Sequence, residues 1–137
     1  MATTRNRPIH QYPTADQSRA SNTTLADDGE LAGLALRPSS KYAFTLHVRF
    51  TGTPGKVALQ LPAGATARGI VSNDGTVSTS TDLTQTQADV ADGVYMSGVI
   101  TVDSTAGTLD VQWAQNASSG TATVRKADSL LTLTRLS

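Results

Sequence analysis

Two histidines, eleven acidic residues and no cysteine set the limits of the chemistry open to this chain. His10 lies in a polar N-terminal stretch. His47 stands between Thr45 and Arg49 at two-residue spacing, on what reads as the polar side of a strand. A lone histidine in that setting belongs to a surface or an interface rather than to a general base or a metal ligand. The sequence has no serine elbow, no His-Glu-x-x-His helix and no phosphate loop. Its acids fall one per turn, at Asp74, Asp92, Asp103 and Asp128, where side-chain oxygens stabilise turns. Only Asp82 and Asp110 fall on strands, which gives little basis for a carboxylate pair of the glycosidase kind. Asp27-Asp28-Gly29-Glu30 lacks the spaced oxygen ligands of a calcium loop and reads as a solvated turn. Without cysteine there is no thiolate site, disulfide or cysteine nucleophile. The expectation is a non-enzymatic protein without cofactor or metal.

Trp113 is in phase with Leu109 and Val111, which makes it a core or subunit-interface indole. A sugar-stacking platform is the other use of such a ring, and it requires exposure. Asn22-Thr23-Thr24 and Asn116-Ala117-Ser118 match the glycosylation sequon. With no apolar leader at the N-terminus they are read as chance matches.

The net charge is zero, with eleven basic and eleven acidic residues, so no long-range field gathers nucleic acid or an anionic membrane. The apolar runs are too short to span a bilayer. The 137 residues suffice for one core. Aromatics make up only 4 %, so that core is mostly Val, Leu, Ile and Ala. A core so poor in rings gains from further burial in an oligomer. The 21 Thr and 13 Ser favour strands and turns.

The elements follow from alternation. Tyr42, Phe44, Leu46, Val48 and Phe50 alternate with Lys41, Ala43, Thr45, His47 and Arg49, a period of two over ten residues. Val57, Leu59 and Leu61 alternate next, then a weaker run from Ala67 to Val71, closed by Asn73-Asp74-Gly75. Thr76 to Thr86 has few apolar anchors and reads as an edge segment. Val94, Met96, Gly98, Ile100 and Val102 share one face, as do Leu109, Val111 and Trp113. Further strands are expected at 121–126 and 130–136. Turn signals recur about every ten residues and no helical period appears after residue 40, which predicts an all-β antiparallel sandwich of about eight strands. Residues 1–21 hold Arg5, Arg7 and Arg19 against Asp16 alone and have no periodicity. They read as an extended N-terminal arm on a domain spanning 22–137.

Several elements in order resemble a family of trimeric jelly-roll domains in tailed bacteriophage virions, which includes capsid decoration (cement) proteins and tail-fibre heads. These are Asn22-Thr23-Thr24-Leu25, the acidic turn 27–30 before Leu31, the Tyr-led strand 42–50 and Leu61-Pro62-Ala63-Gly64. Gly107, Gln112 to Asn116, and Ser129-Leu130 complete the set. The likeness covers about 22–136 and extends in architecture to complement-type and tumour-necrosis-factor-like trimers. It implies a jelly-roll homotrimer on the outer capsid surface, made in the bacterial host cytoplasm and partnered by the major capsid protein. The short arm at Met1, with no trimerising shaft, fits a stand-alone protein set on a pre-built lattice. On this reading Arg5, Arg7 and Arg19 pair with acidic capsid groups, while Ile9 and Tyr12 fill apolar pockets. Tyr95, Val99, Leu130 and Leu136 are the expected trimer contacts. The alternative is a tail-fibre or baseplate head that binds a host receptor or glycan.

Overall fold

The computed structural model describes residues 7–137, without the side chains of 79–81. Among them there is no helix, and two antiparallel sheets pack into a β-sandwich. The larger sheet is built on the sequence's strongest alternation. β1 (Ile9–Gln11) pairs with β13 (Leu130–Arg135), which pairs with β5 (Lys41–Gly52). β5 then pairs with β10 (Gly93–Thr101), followed by β7 (Thr66–Asn73) and, at the edge, β8 (Thr76–Asp82). At the Gly52 end of β5, β12 (Thr123–Arg125) adds to the sheet and carries β2 (Gln17–Arg19) on its far side. In the smaller sheet β11 (Gly107–Gln115) lies between β6 (Gly55–Gln60) and two short strands, β3 (Ala26–Asp27) and β4 (Leu34–Leu36). β9 (Gln87–Val90) closes its other edge against β6.

The core is the set of inward positions the alternation names. Tyr42, Phe44, Leu46, Val48 and Phe50 from β5 are buried, with Val94, Met96 and Ile100 from β10 and Leu131 and Leu133 from β13. They face Val57, Leu59, Leu109, Val111 and Trp113 of the smaller sheet. Burying such side chains contributes about 1.5–3 kcal/mol each, which is how a chain with few aromatic rings holds two sheets together.

Two local features follow from the turn chemistry. Asp74 and Gly75 both have positive φ, +50° and +89°, as a two-residue hairpin between twisted strands requires. The Asp74 carboxylate reaches across that turn and accepts from the backbone N–H groups of Ala91, Asp92 and Gly93 at 2.7–2.9 Å. Desolvation pushes its pKa up, but these three donors outweigh it and hold the carboxyl below its usual value. In the middle of the larger sheet Gly98 faces Gly69. A Cβ on Gly98 would lie 2.2 Å from the Arg68 carbonyl oxygen, so only glycine permits this approach.

Two expectations change. Residues 7–21 are not a separate arm: β1 and β2 are strands of the larger sheet, so the sandwich reaches back beyond residue 22. The acidic turn at 27–30 is not simply solvated either, because Asp28 is fully buried.

Candidate interaction surfaces

The outer face of the larger sheet follows from its register. Residues paired across antiparallel strands point to the same side. One lateral row therefore runs Leu130, His47, Tyr95, Ser72, Val77. The next runs His10, Thr132, Thr45, Ser97, Ile70, and the third Thr134, Ala43, Val99, Arg68. Tyr95, Val99, Leu130, Ile70 and Val77 are all exposed. The His47 and Tyr95 rings meet edge to face at 6.2 Å. Between these side chains the face carries Thr, Ser and Ala, with a depression of about 310 Å³ floored by Gly98 and walled by Val99, Thr132 and Thr134. Large apolar side chains over a floor of small ones make a surface that another flat surface can approach closely.

The expected trimer contacts thus separate. Tyr95 and Leu130 lie in one row, two strand spacings or roughly 10 Å apart. Val99 lies two rows further along the same face. Leu136 is exposed just past β13, where its N–H bonds the Lys41 carbonyl. Ile70 and Val77, missed by the sequence reading, enlarge the patch. They come from strands whose inward faces are too poor in apolar residues to reveal the alternation.

The N-terminal segment is held in two different ways. Arg125, fully buried, grips Asp28 with two nitrogens, Nε to Oδ2 at 2.7 Å and the second to Oδ1 at 3.2 Å. Asp28 also accepts from the N–H groups of Glu30 and Leu31. The same guanidinium donates to the Ala15 carbonyl at 3.0 Å, and Glu30 Oε2 accepts from both the N–H and the hydroxyl of Thr14 at 2.8 Å. These Thr14 bonds, backbone first and hydroxyl second, hold the Glu30 carboxyl below its usual pKa, with Arg125 adding to the effect against desolvation. Asp16 accepts from the Ala127 N–H at 2.6 Å. The expectation grouped Arg19 with the partner contacts. Its guanidinium instead lies 4.2 Å over the Trp113 ring and donates to the carbonyls of Ala26, Asp27 and Trp113. Burial lowers its pKa, while the nearby Asp28 pulls it up. Trp113 itself is fully buried, which rules out a sugar platform, and its indole N–H has no acceptor among the described residues.

Residues 7–12 contrast with this. Ile9 and Tyr12 are exposed, and His10 Nδ1 lies 3.1 Å from the Thr132 hydroxyl. Arg7 and Ile9 border a cleft of about 560 Å³, with Ala35 and Arg37 opposite and Tyr42, Leu133 and Arg135 between. Arg5 lies outside the described residues.

Among the described residues no group of three His, Cys, Asp or Glu is placed to hold a metal ion, and no helix is long and apolar enough to cross a membrane. His10 and His47 both sit on the outer face of the larger sheet, as the register places them. No protein-family model, curated protein or solved structure matches this chain.

Proposed function

We propose that this chain is a non-enzymatic virion structural protein, a jelly-roll homotrimer that decorates a bacteriophage capsid and stabilises it by binding the major capsid protein. The observation that carries the oligomer is the outer face of the larger sheet. Its exposed apolar residues lie on one surface with no charged side chain between Tyr95, Leu130 and Ile70. A face that gathers several exposed apolar side chains among small uncharged ones suits an association site. Packing it around a three-fold axis would bury the rings and branched side chains that the small core leaves outside. The virion setting rests on the resemblance of the ordered motifs from Asn22 to Leu130. The partner-facing surface in this reading is the β1 edge with Arg7, Ile9 and Tyr12, since Arg19 is occupied within its own domain. Binding to the assembled lattice alone then stabilises that lattice by mass action, and three linked contacts raise the effective concentration of each.

The test is sedimentation of the full chain, followed by binding to undecorated capsid shells. A particle three times the 14.2 kDa of the chain is expected, and Tyr95→Glu with Val99→Glu should reduce it to a monomer that still folds. Saturable binding of the trimer to shells supports decoration. A stable trimer that ignores shells but binds host-cell surfaces would move the assignment to a tail-fibre or baseplate head.

A further inference from the structure

We propose that the cleft between the open edges of β1 and β4 binds an extended, carboxylate-bearing segment of a partner polypeptide. In it Arg7, Arg37 and Arg135 hold the acidic side chains, and Ile9 and Ala35 receive an apolar one. Three cations border one cavity here. None of them takes part in an ion pair among the described residues, whose pairs involve Arg49, Arg125 and Lys126. All eleven acidic residues of the chain lie within the described part. Residues 1–6 contain Arg5 and no carboxylate side chain, so the preceding segment supplies no acidic side chain to neutralise the cleft. Arg135 Nε donates to the main-chain oxygen of Ser137, the last residue, at 3.2 Å, and pairs with no carboxylate side chain among the described residues. Three like charges facing one cavity repel one another, and a carboxylate relieves that repulsion while forming charge-assisted hydrogen bonds.

The floor adds a further donor. Tyr42 is 4 % exposed, and its hydroxyl oxygen accepts from the Arg37 N–H at 2.9 Å. The phenolic proton meets no acceptor among the described residues, so it can be given to a ligand oxygen.

A polypeptide fits better than a bare polyanion for two reasons. Among the described residues β1 pairs only with β13, and β4 only with β11, so each has a backbone edge without a strand partner there, and both strands line the cleft. An added strand satisfies such an edge. The remaining lining is apolar, from Pro8, Ile9, Ala35 and Leu133, and alternate side chains of a strand would reach it while their neighbours met the arginines. This inference rests on the proposed function only in taking the partner to be a neighbouring virion protein.

The probe is a capped, fluorescein-labelled eight-residue peptide alternating Glu with Val, titrated by anisotropy into the full chain at low salt. Its counterpart alternates Lys with Val, and a heparin oligosaccharide serves as the non-peptide polyanion. The acidic peptide is expected to bind, the Lys peptide not, and heparin more weakly. Arg37→Gln with Arg135→Gln should weaken peptide binding at least tenfold. Arg49→Gln, which breaks the surface pair with Asp128, should leave it within twofold. In the unsubstituted chain the amides of Ile9, Ala35 and Arg135 should shift on titration while those of Tyr95 and Val99 do not. This mapping does not depend on the variants folding. No binding, equal loss in Arg49→Gln, tighter heparin binding or shifts confined to the Tyr95 face would each overturn the proposal. A trimer that binds shells but not the peptide fails the cleft alone. A monomer that binds the peptide fails the trimer alone.

Discussion

The two halves of the N-terminal segment, 7–12 and 14–19, are held in opposite ways. Residues 14–19 are fastened at nearly every position: Thr14 to Glu30, Ala15 to Arg125, Asp16 to Ala127, and Arg19 to three carbonyls and the Trp113 ring. Residues 7–12 touch the domain through one short strand and leave Arg7, Ile9 and Tyr12 facing outward. What separates an arginine that builds the fold from one that can serve a partner is whether the chain provides an acceptor in front of it. Asp28 and the carbonyls of the β3 region do so for Arg125 and Arg19. Among the described residues no carboxylate pairs with Arg7 or Arg37.

The sharpest way to break that contrast is at Arg125. Arg125→Met removes the partner of a fully buried carboxylate and should cost about 3–5 kcal/mol, measured by urea unfolding. Replacing Asp28 with Asn in the same chain should recover part of the loss, because it removes the unpaired charge while its oxygen still accepts from the Glu30 and Leu31 N–H groups. A double variant as unstable as the single one would mean that Arg125 acts through its bond to Ala15 rather than through charge. Arg19→Ala comes next. It loses the stacking on Trp113 and its carbonyl bonds, and about 1–3 kcal/mol is expected from the two together. Trp113 fluorescence should change as water reaches the ring.

These two arginines also mark where the sequence was legible. The ten-residue alternation from Lys41 to Phe50 placed β5 and its inward face, since a period of two is written in neighbouring residues. Asp74-Gly75 announced its hairpin for the same reason, and Tyr95 and Val99 were found as outward positions opposite Met96 and Ile100. Asp28 could not be read in this way. Its partner lies 97 residues away, and nothing near Asp27 or Glu30 signals that a guanidinium will be buried against it. β1 and β2 have three residues each, too few for a period to show, and they exist because β13 and β12 offer them edges. The cleft was invisible for a related reason: Arg7, Arg37 and Arg135 meet only through the pairing of distant strands.

A pH series separates the two halves at lower energy. Glu30 has a depressed pKa in the folded chain, so its hold on Thr14 is complete above the ordinary carboxylate range. It is lost as pH falls through the lower, folded value. The Thr14 amide should be protected from hydrogen exchange at pH 6, after correction for intrinsic rates, and lose that protection on acidification before the core strands open. Glu30→Gln should show the loss already at pH 6. The β1 amides, whose partners are backbone carbonyls of β13, should keep their protection through the same range. Simultaneous loss in both segments would show that they open as one unit and that the contrast between them is not local.

The smallest effect is expected where the arginines have no partner. Arg37 is exposed, and its side chain makes no ion pair among the described residues. Its one bond to the cleft floor comes from its backbone N–H to the Tyr42 hydroxyl, which glutamine retains. Arg37→Gln should therefore change unfolding free energy by no more than about 0.5 kcal/mol, the ordinary range for a surface site. Relief of repulsion from Arg7 and Arg135 makes slight stabilisation the expected sign, and it should fade as salt screens the cluster. A destabilisation of the size expected for Arg19→Ala would mean that Arg37 belongs to the fold. The cleft would then be one more place where the chain satisfies itself, rather than one where a partner completes it.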